Sequence, residues 1–244
     1  MVDVTRARSF EGIGEEYDRY RPGFPERAAD IIVPAPVATA LDLGAGTGKF
    51  TSLLVERAAR VIAVEPSAPM LAVLARTLPT VEARPGTAES IPVPDGSVDV
   101  VSVAQAFHWF DRDTAAAEIA RALVADGTLG LLWNRADPAC AWDLACHRVA
   151  HPAVGADDDT SASATDIPGF VLEAHEEVRW TERISREVYL RRWGTVSSLL
   201  VADDAERAGM VAALEAVLDG ADETRGKAEF DLPHLTDVFR YRRV

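Results

Sequence analysis

Short apolar runs alternate with helix-spaced patterns through the first half of the chain. Ala40-Leu41-Asp42-Leu43 reads as a strand that runs into glycines. From Thr47 to Ala58, Phe50, Leu53, Leu54 and Arg57 fall at helical spacing. Val61 to Val64 is near-continuously apolar, as a parallel strand covered on both faces is. Ala68 to Thr77 reads as helix and Val81 to Arg84 as a short strand. Val98 to Val103 is a further strand, introduced by the turn Pro94-Asp95-Gly96. Asp113 or Thr114 is expected to cap a helix whose inner face is Ile119, Ala122 and Leu123, and Gly127 to Trp133 is a fifth strand. Strand and helix alternating in this way predict a doubly wound parallel sheet with right-handed crossovers.

The second half has another rhythm. Glu176 to Thr181 and Thr236 to Arg242 alternate in the manner of strands, with helical stretches near Arg186–Leu200 and Asp204–Leu218 between them. Ala153 to Ala164, with Asp157-Asp158-Asp159, reads as a polar loop. The chain is expected to form one domain over 1–244. Residues 1–35 would be an N-terminal lid segment and 36–135 a ligand-binding core. Residues 136–244 would supply a substrate-side helical insert and the last two strands.

Composition narrows the class. The 244 residues are 48% hydrophobic and 26% charged, as in a globular domain able to bury a sizeable core. No apolar run approaches the ~20 residues of a membrane-spanning helix, so no membrane partner is expected. Met1 to Phe10 carries charge and no apolar stretch, unlike a secretory signal. Cys140 and Cys146 are the only cysteines and their spacing is not that of a zinc or redox motif, so a reducing cytoplasm is expected. The histidines have no metal-ligand spacing, and no metal site is expected. With 25 Lys+Arg against 39 Asp+Glu the net charge is −14, which disfavours nucleic acid as a partner.

The most specific signal is Leu41-Asp42-Leu43-Gly44-Ala45-Gly46-Thr47-Gly48-Lys49-Phe50, a strand, a tight glycine turn and an expected helix. Glycine suits sharp bends and close approach to a ligand, and a helix start offers unpaired N–H groups. The third glycine comes one residue earlier than in a dinucleotide-binding G-x-G-x-x-G loop, and Lys49 stands where that glycine belongs. No G-K-[ST] of a nucleoside-triphosphate loop is present. The second strand ends in Glu65, an acid placed to accept both hydroxyls of a ribose. Two further segments follow: Gly86-Thr87-Ala88-Glu89-Ser90-Ile91-Pro92 and Ala104-Gln105-Ala106-Phe107-His108-Trp109-Phe110-Asp111.

In this order and spacing the motifs resemble the class I S-adenosylmethionine-dependent methyltransferases, in their type 11 branch of small-molecule enzymes. The resemblance is closest between about Tyr17 and Arg135. It implies a Rossmann-like doubly wound α/β fold. Its seven-stranded sheet would be mostly parallel, with an antiparallel C-terminal hairpin strand and helices on both faces. It implies S-adenosyl-L-methionine as cofactor and S-adenosyl-L-homocysteine as product. Gly44, Ala45, Gly46 and Gly48 would pass under the methionine part, with Asp42 orienting the loop. Glu65 would hold the ribose, and Pro66 and Met70 would line the adenine. Thr87, Ala88 and Glu89 would read the adenine edge, and Ala104, with Gln105 beside it, would meet the amino group. Tyr17-Asp18-Arg19-Tyr20-Arg21-Pro22 looks like the family's lid, with Arg21 toward the cofactor carboxylate.

The run from Gln105 to Phe110 is similar to that of trans-aconitate and related carboxylate methyltransferases. Phe107, Trp109 and Phe110 would wall the transfer chamber, where aromatic faces attract a sulfonium. Tyr17, Tyr20, His108, Trp109 and Trp133 are the expected acceptor-side residues. Asn134, Trp142, Trp193, Arg191 and Arg192 are further candidates. The acceptor is expected to be a small molecule with an oxygen, nitrogen or carbon nucleophile, a carboxylate among them. A carboxylate needs no base; for a protonated nucleophile His108 is the candidate. Two other readings share the architecture: a protein that binds the cofactor without methylating, and an NAD-type oxidoreductase, which Lys49 disfavours.

Overall fold

The computed structural model describes residues 18–151, 164 and 166–244. Tyr17, the first ten residues and nearly all of the expected polar loop lie outside them. Seven strands form one sheet: β1 (Val37–Leu43), β2 (Ala58–Val64), β3 (Glu82–Arg84), β4 (Val98–Ala104), β5 (Leu123–Ala136), β6 (Phe170–Ser185) and β7 (Glu229–Arg243). Their order is β3-β2-β1-β4-β5-β7-β6. The first five strands pair in parallel. β7 runs antiparallel to both β5 and β6. The expected seven-stranded sheet, mostly parallel with an antiparallel late strand, is the observed one.

From β1 the chain builds outward to β2 and β3, then returns to lay β4 and β5 on the other side. The winding therefore reverses between β1 and β4, and ligands of such sheets bind at the carboxyl ends of the strands near this point. Alternation along the strands feeds two cores, one on each face. Leu41, Leu43, Val101 and Val103 pack with α4 (Arg112–Ala122) through Ile119 and Ala122. Ala40, Val61, Ala63 and Val100 pack on the other face with Ile32 of α1 (Glu26–Ile32), Leu54 of α2 (Thr51–Leu54) and Leu74 of α3 (Ala68–Thr77).

A third core stands apart. It joins α5 (Ala141–Ala150), α6 (Arg186–Trp193), α7 (Ser197–Val201) and α8 (Asp204–Gly220) to Ile184, Phe230 and Leu232, at the paired ends of β6 and β7. Trp142 and Trp193 lie in it, buried. The insert thus packs on the far end of the sheet.

Several boundaries differ from the pattern. The helix expected over Thr47–Ala58 shrinks to α2, because Gly48 sits at φ +92° and Leu53 and Arg57 close three-residue turns onto Phe50 and Leu54. The cap of α4 is Asp111, whose carboxylate accepts from the Thr114 amide, rather than Asp113 or Thr114. The helix expected over Arg186–Leu200 breaks between Trp193 and Ser197, around Gly194. β6 and β7 extend well beyond their alternating centres, since each residue of one is paired by the other across fifteen positions of register.

Candidate active site

Three strand ends meet at the winding reversal. β1 leaves Leu43 through Gly44, Ala45, Gly46, Thr47 and Gly48, with positive φ at all three glycines. Two of the glycines are needed for packing. A Cβ on Gly44 would come 2.7 Å from Ala106 Cβ, and one on Gly48 would come 2.9 Å from Leu78 Cδ1. Gly46 differs: the one atom a Cβ there would approach is Met70 Sδ, at 4.0 Å. The backbone at Gly46 therefore borders open space, with a buried methionine on its far side. The amides of Gly44 and Ala45 donate to Val64 O, and that of Gly48 to Ala45 O. These three turn amides are thus used by β2 and by the turn itself, which lies ahead of the helix start at Thr51.

Glu65, at the tip of β2, holds this loop. Its Oε2 accepts from the Gly46 amide at 2.9 Å and its Oε1 from the Ser67 amide at 2.8 Å. Each oxygen keeps a second lone pair. Burial raises the carboxyl above its ordinary range, and the two amide bonds oppose that rise. Beneath the loop Asp42 is almost wholly buried. Thr51 Oγ1 donates to it at 2.6 Å and Ser102 Oγ at 2.7 Å, tying β1 to α2 and β4. Burial pushes its pKa up to about 6, and the nearby Glu65 adds to the rise. Sequence reading took Asp42 as the loop's orienter; the hydroxyls that grip it come from two other elements and carry no motif.

β4 ends at Ala104, after which Gln105 takes φ +59° and the chain makes a 3-10 turn over Phe107–Trp109. Phe107 is core, edge-on to Phe110. Phe110 is half-buried against the Gly44 turn, and Trp109 and His108 are half-buried with rings 4.7 Å apart. Trp133 of β5 is fully buried, and its Nε1 donates to His108 Nδ1 at 3.3 Å. Gln105 Nε2 donates to Asn134 O. On the far side of Glu65, Pro66 and Thr87 are exposed and Ala88 is buried. Glu89 is half-buried and accepts from the Asp111 amide at 3.0 Å.

The N-terminal segment crosses this edge as a strap. Asn134 Nδ2 donates to Gly23 O, Arg192 Nε to Tyr20 O at 2.7 Å, and Arg21 to Thr195 O at 3.0 Å. Lys49 Nζ lies 3.5 Å from Asp18, and Phe24 sits edge-on to Phe50. Lys49 and Phe50 thus anchor the strap to the glycine loop. Arg192 is itself held in a fork by Glu182, which also takes His234 Nε2 at 2.9 Å. Arg191, its neighbour, is exposed and pairs with Glu187. Glu182 and Arg192 form the part of the site's frame that no motif announced.

The loop leaves two buried hydroxyls, Thr47 Oγ1 and Ser67 Oγ, with no partner. Buried polar atoms ordinarily have one. They flank Gly46 and Glu65 in the chain, so the surroundings suit a ligand carrying both hydroxyls and apolar surface, as S-adenosylmethionine does. Among the described residues no cluster of acids, histidines and cysteines could hold a metal. Nor is any helix among them long and apolar enough to cross a membrane.

Comparison with known proteins agrees with this geometry. A family model described as a methyltransferase domain matches residues 41–131. An uncharacterized methyltransferase of Mycobacterium tuberculosis is 42% identical over 183 residues, 75% of this chain and 74% of its own. One from Schizosaccharomyces pombe is 29% identical over 97% of this chain and 98% of its own. A solved structure from Anaeromyxobacter dehalogenans, provisionally named a type II methyltransferase, superposes with TM-score 0.69. It is 27% identical and covers 92% of this chain and 98% of its own. With strand order, glycine turn and Glu65 in place, these relationships establish that the chain belongs to the class I S-adenosylmethionine-dependent methyltransferases.

Proposed function

We propose that the acceptor is a small molecule, methylated by in-line displacement at the carboxyl edge of β1, β2 and β4. The observation that carries this reading is the Glu65 carboxylate. It is hooked to the Gly46 amide and keeps one lone pair on each oxygen beside the open space over Gly46. A ribose diol would donate one hydroxyl to each oxygen. Gly44, Ala45, Gly46 and Gly48 would run beneath the methionine part, with Thr47 Oγ1 offering a hydrogen bond. Pro66 and Met70 would face the adenine, and Thr87, Ala88 and Glu89 its edge. The Ala104 carbonyl would take the amino group. Arg21, bonded to Thr195 O, serves the strap in our reading.

When bound, the cofactor supplies an activated methyl and a good leaving group. The chain's task is alignment, which can contribute about 7–11 kcal/mol of barrier lowering. Tyr20, Trp109, His108 and the strap would close the acceptor side, with the aromatic faces favouring a cation. Trp133 would act from beneath, through His108. The acid excess of the chain argues for a small acceptor over nucleic acid. Burial pushes the thiols of Cys140 and Cys146 to about 11 and 12, so they stay neutral and unreactive, in keeping with a cytoplasmic enzyme.

Calorimetric titration with S-adenosylmethionine, with NAD as control, tests the reading. We expect binding of the first alone. Glu65→Ala should weaken it by about 1.5–3 kcal/mol through loss of charged hydrogen bonds. Gly46→Val, folded by circular dichroism, should abolish it. Unchanged affinity in Glu65→Ala would remove the ribose role. A panel of carboxylic acids, phenols and amines, read by mass, then identifies the acceptor.

A further inference from the structure

Among the described residues, three other than glycine hold a positive φ: Gln105 at 59°, Asp126 at 58° and Asp166 at 52°. Aspartate tolerates this left-handed region because its short side chain can bond locally, whereas glutamine has no such compensation. Gln105 is also the one of the three at the winding reversal, between Ala104, where β4 ends, and the 3-10 turn over Phe107–Trp109. Backbone strain at such a place persists only where the surroundings hold it.

What holds it is β5. The two strands pair in parallel up to Ala104 opposite Leu132. One residue further on, the Gln105 amide still donates to Leu132 O at 2.9 Å. A parallel ladder takes its donors from alternate residues, so the next bond, to Asn134 O, would come from the amide of residue 107. By then the chain has left the sheet. Gln105 Nε2 makes that bond instead, at 2.9 Å. A single residue thus turns the main chain out of the sheet and continues the ladder with its side chain. The turn that follows is packed closely on the glycine loop. A Cβ on Gly44 would come 2.7 Å from Ala106 Cβ and 3.3 Å from Phe110 Cζ. The direction taken at Gln105 therefore decides where this turn stands against the loop.

We propose that Gln105 is a positioning residue for methyl transfer: its side chain is pinned to Asn134 O, and its strained backbone aims the turn from Ala106 to Phe110 at the glycine loop, setting one wall of the space in which cofactor and acceptor are aligned. Glycine would take the same φ without strain but would leave the turn free to swing. Asparagine also visits this region but is one methylene too short to repeat the bond. The Gln105 amide faces β5 and serves the turn; it does not bind the cofactor. The inference rests on the methyl-transfer reading, because in-line displacement is what makes a small shift of the wall costly: a misplacement of about 1 Å can cost roughly 10²-fold in rate.

Gln105→Gly is the first test, since it relaxes the strain and removes the pin together. In denaturant melts it should be as stable as the parent or more so. Turnover of the acceptor panel should fall about 10–100-fold. Calorimetric affinity for S-adenosylmethionine should stay within about twofold of the parent's, because a loss confined to kcat marks lost alignment. Parental turnover in this variant, or a loss of cofactor affinity as large as the loss of turnover, overturns the proposal. Gln105→Glu keeps the length of the side chain. A carboxylate only accepts and would repel Asn134 O, whereas the protonated acid donates and restores the pin. Turnover of this variant relative to the parent should therefore rise as pH falls through the pKa of the new carboxyl, and a ratio that is flat with pH counts equally against the pin. Amide hydrogen exchange supplies a readout that needs no cofactor. The Trp109 and Phe110 amides close the turn onto Ala106 O and Phe107 O. Both should exchange about tenfold faster in Gln105→Gly, and unchanged exchange would show that the turn is held without Gln105. Failure of S-adenosylmethionine to bind the parent would instead sink the methyl-transfer reading and leave the exchange result to decide the pin, so the two failures are told apart.

Discussion

Asp42 is a carboxyl under the glycine loop whose protonation is set by where it is buried. Desolvation outweighs the Thr51 and Ser102 hydroxyls and lifts its pKa from 3.8 to about 6. The folded chain therefore holds this proton more tightly than the unfolded chain does. The resulting stabilisation is present in full below the unfolded pKa and is lost as pH rises through about 6. A shift of this size corresponds to about 3 kcal/mol. Asp42→Asn removes the titration and keeps a group that can bond both hydroxyls. Denaturant melts should show the variant gaining on the parent by about 3 kcal/mol between acid and neutral pH. A stability difference that does not change with pH would mean the carboxyl is not held up. The sequence places Asp42 beside the glycines, but its pKa depends on Thr51 and Ser102, nine and sixty residues away.

At the scale of elements, the strap is tied to the insert by side chains on strands and helices distant in sequence. Burial alone would raise Glu182, but the His234 and Arg192 hydrogen bonds override it and hold the carboxyl down to about 2. Its contribution is present above the ordinary carboxylate pKa and is lost as pH falls toward about 2. Arg192→Met leaves this acid with one fewer partner and frees Tyr20 O. We expect a loss of about 3 kcal/mol in denaturant melts, the usual cost of breaking a buried pair. Faster proteolytic cutting near Tyr20 should accompany it, and an uncut segment would show that the strap is held by its other contacts. Strands are the elements the pattern revealed best, because β1, β2 and β4 are apolar on both faces. α2 was the least legible: Phe50, Leu53 and Leu54 do face the core, but a turn serves them as well as a helix would.

Across the whole molecule, the sheet with its two faces and the helical insert bury separate cores. Leu214 of α8 is fully buried in the insert's core, away from the glycine loop. Leu214→Ala should cost about 2–5 kcal/mol in stability. Cofactor affinity measured by calorimetry should be unchanged, and a large loss of affinity would mean that the insert and the loop are energetically one unit. The amino-acid sequence by itself determined the winding of the sheet, the glycine turn, and the acid at the second strand's tip. These follow from periodicity and from backbone bends that glycine permits, which are local properties. Tertiary structure alone decided that the loop amides are used internally, that Phe107 is core, that Arg192 grips the strap, and that Trp133 meets His108. Each of these depends on which side chains from distant segments share one small volume, and hydrogen-bond partners in a folded chain are chosen by that proximity rather than by spacing along it.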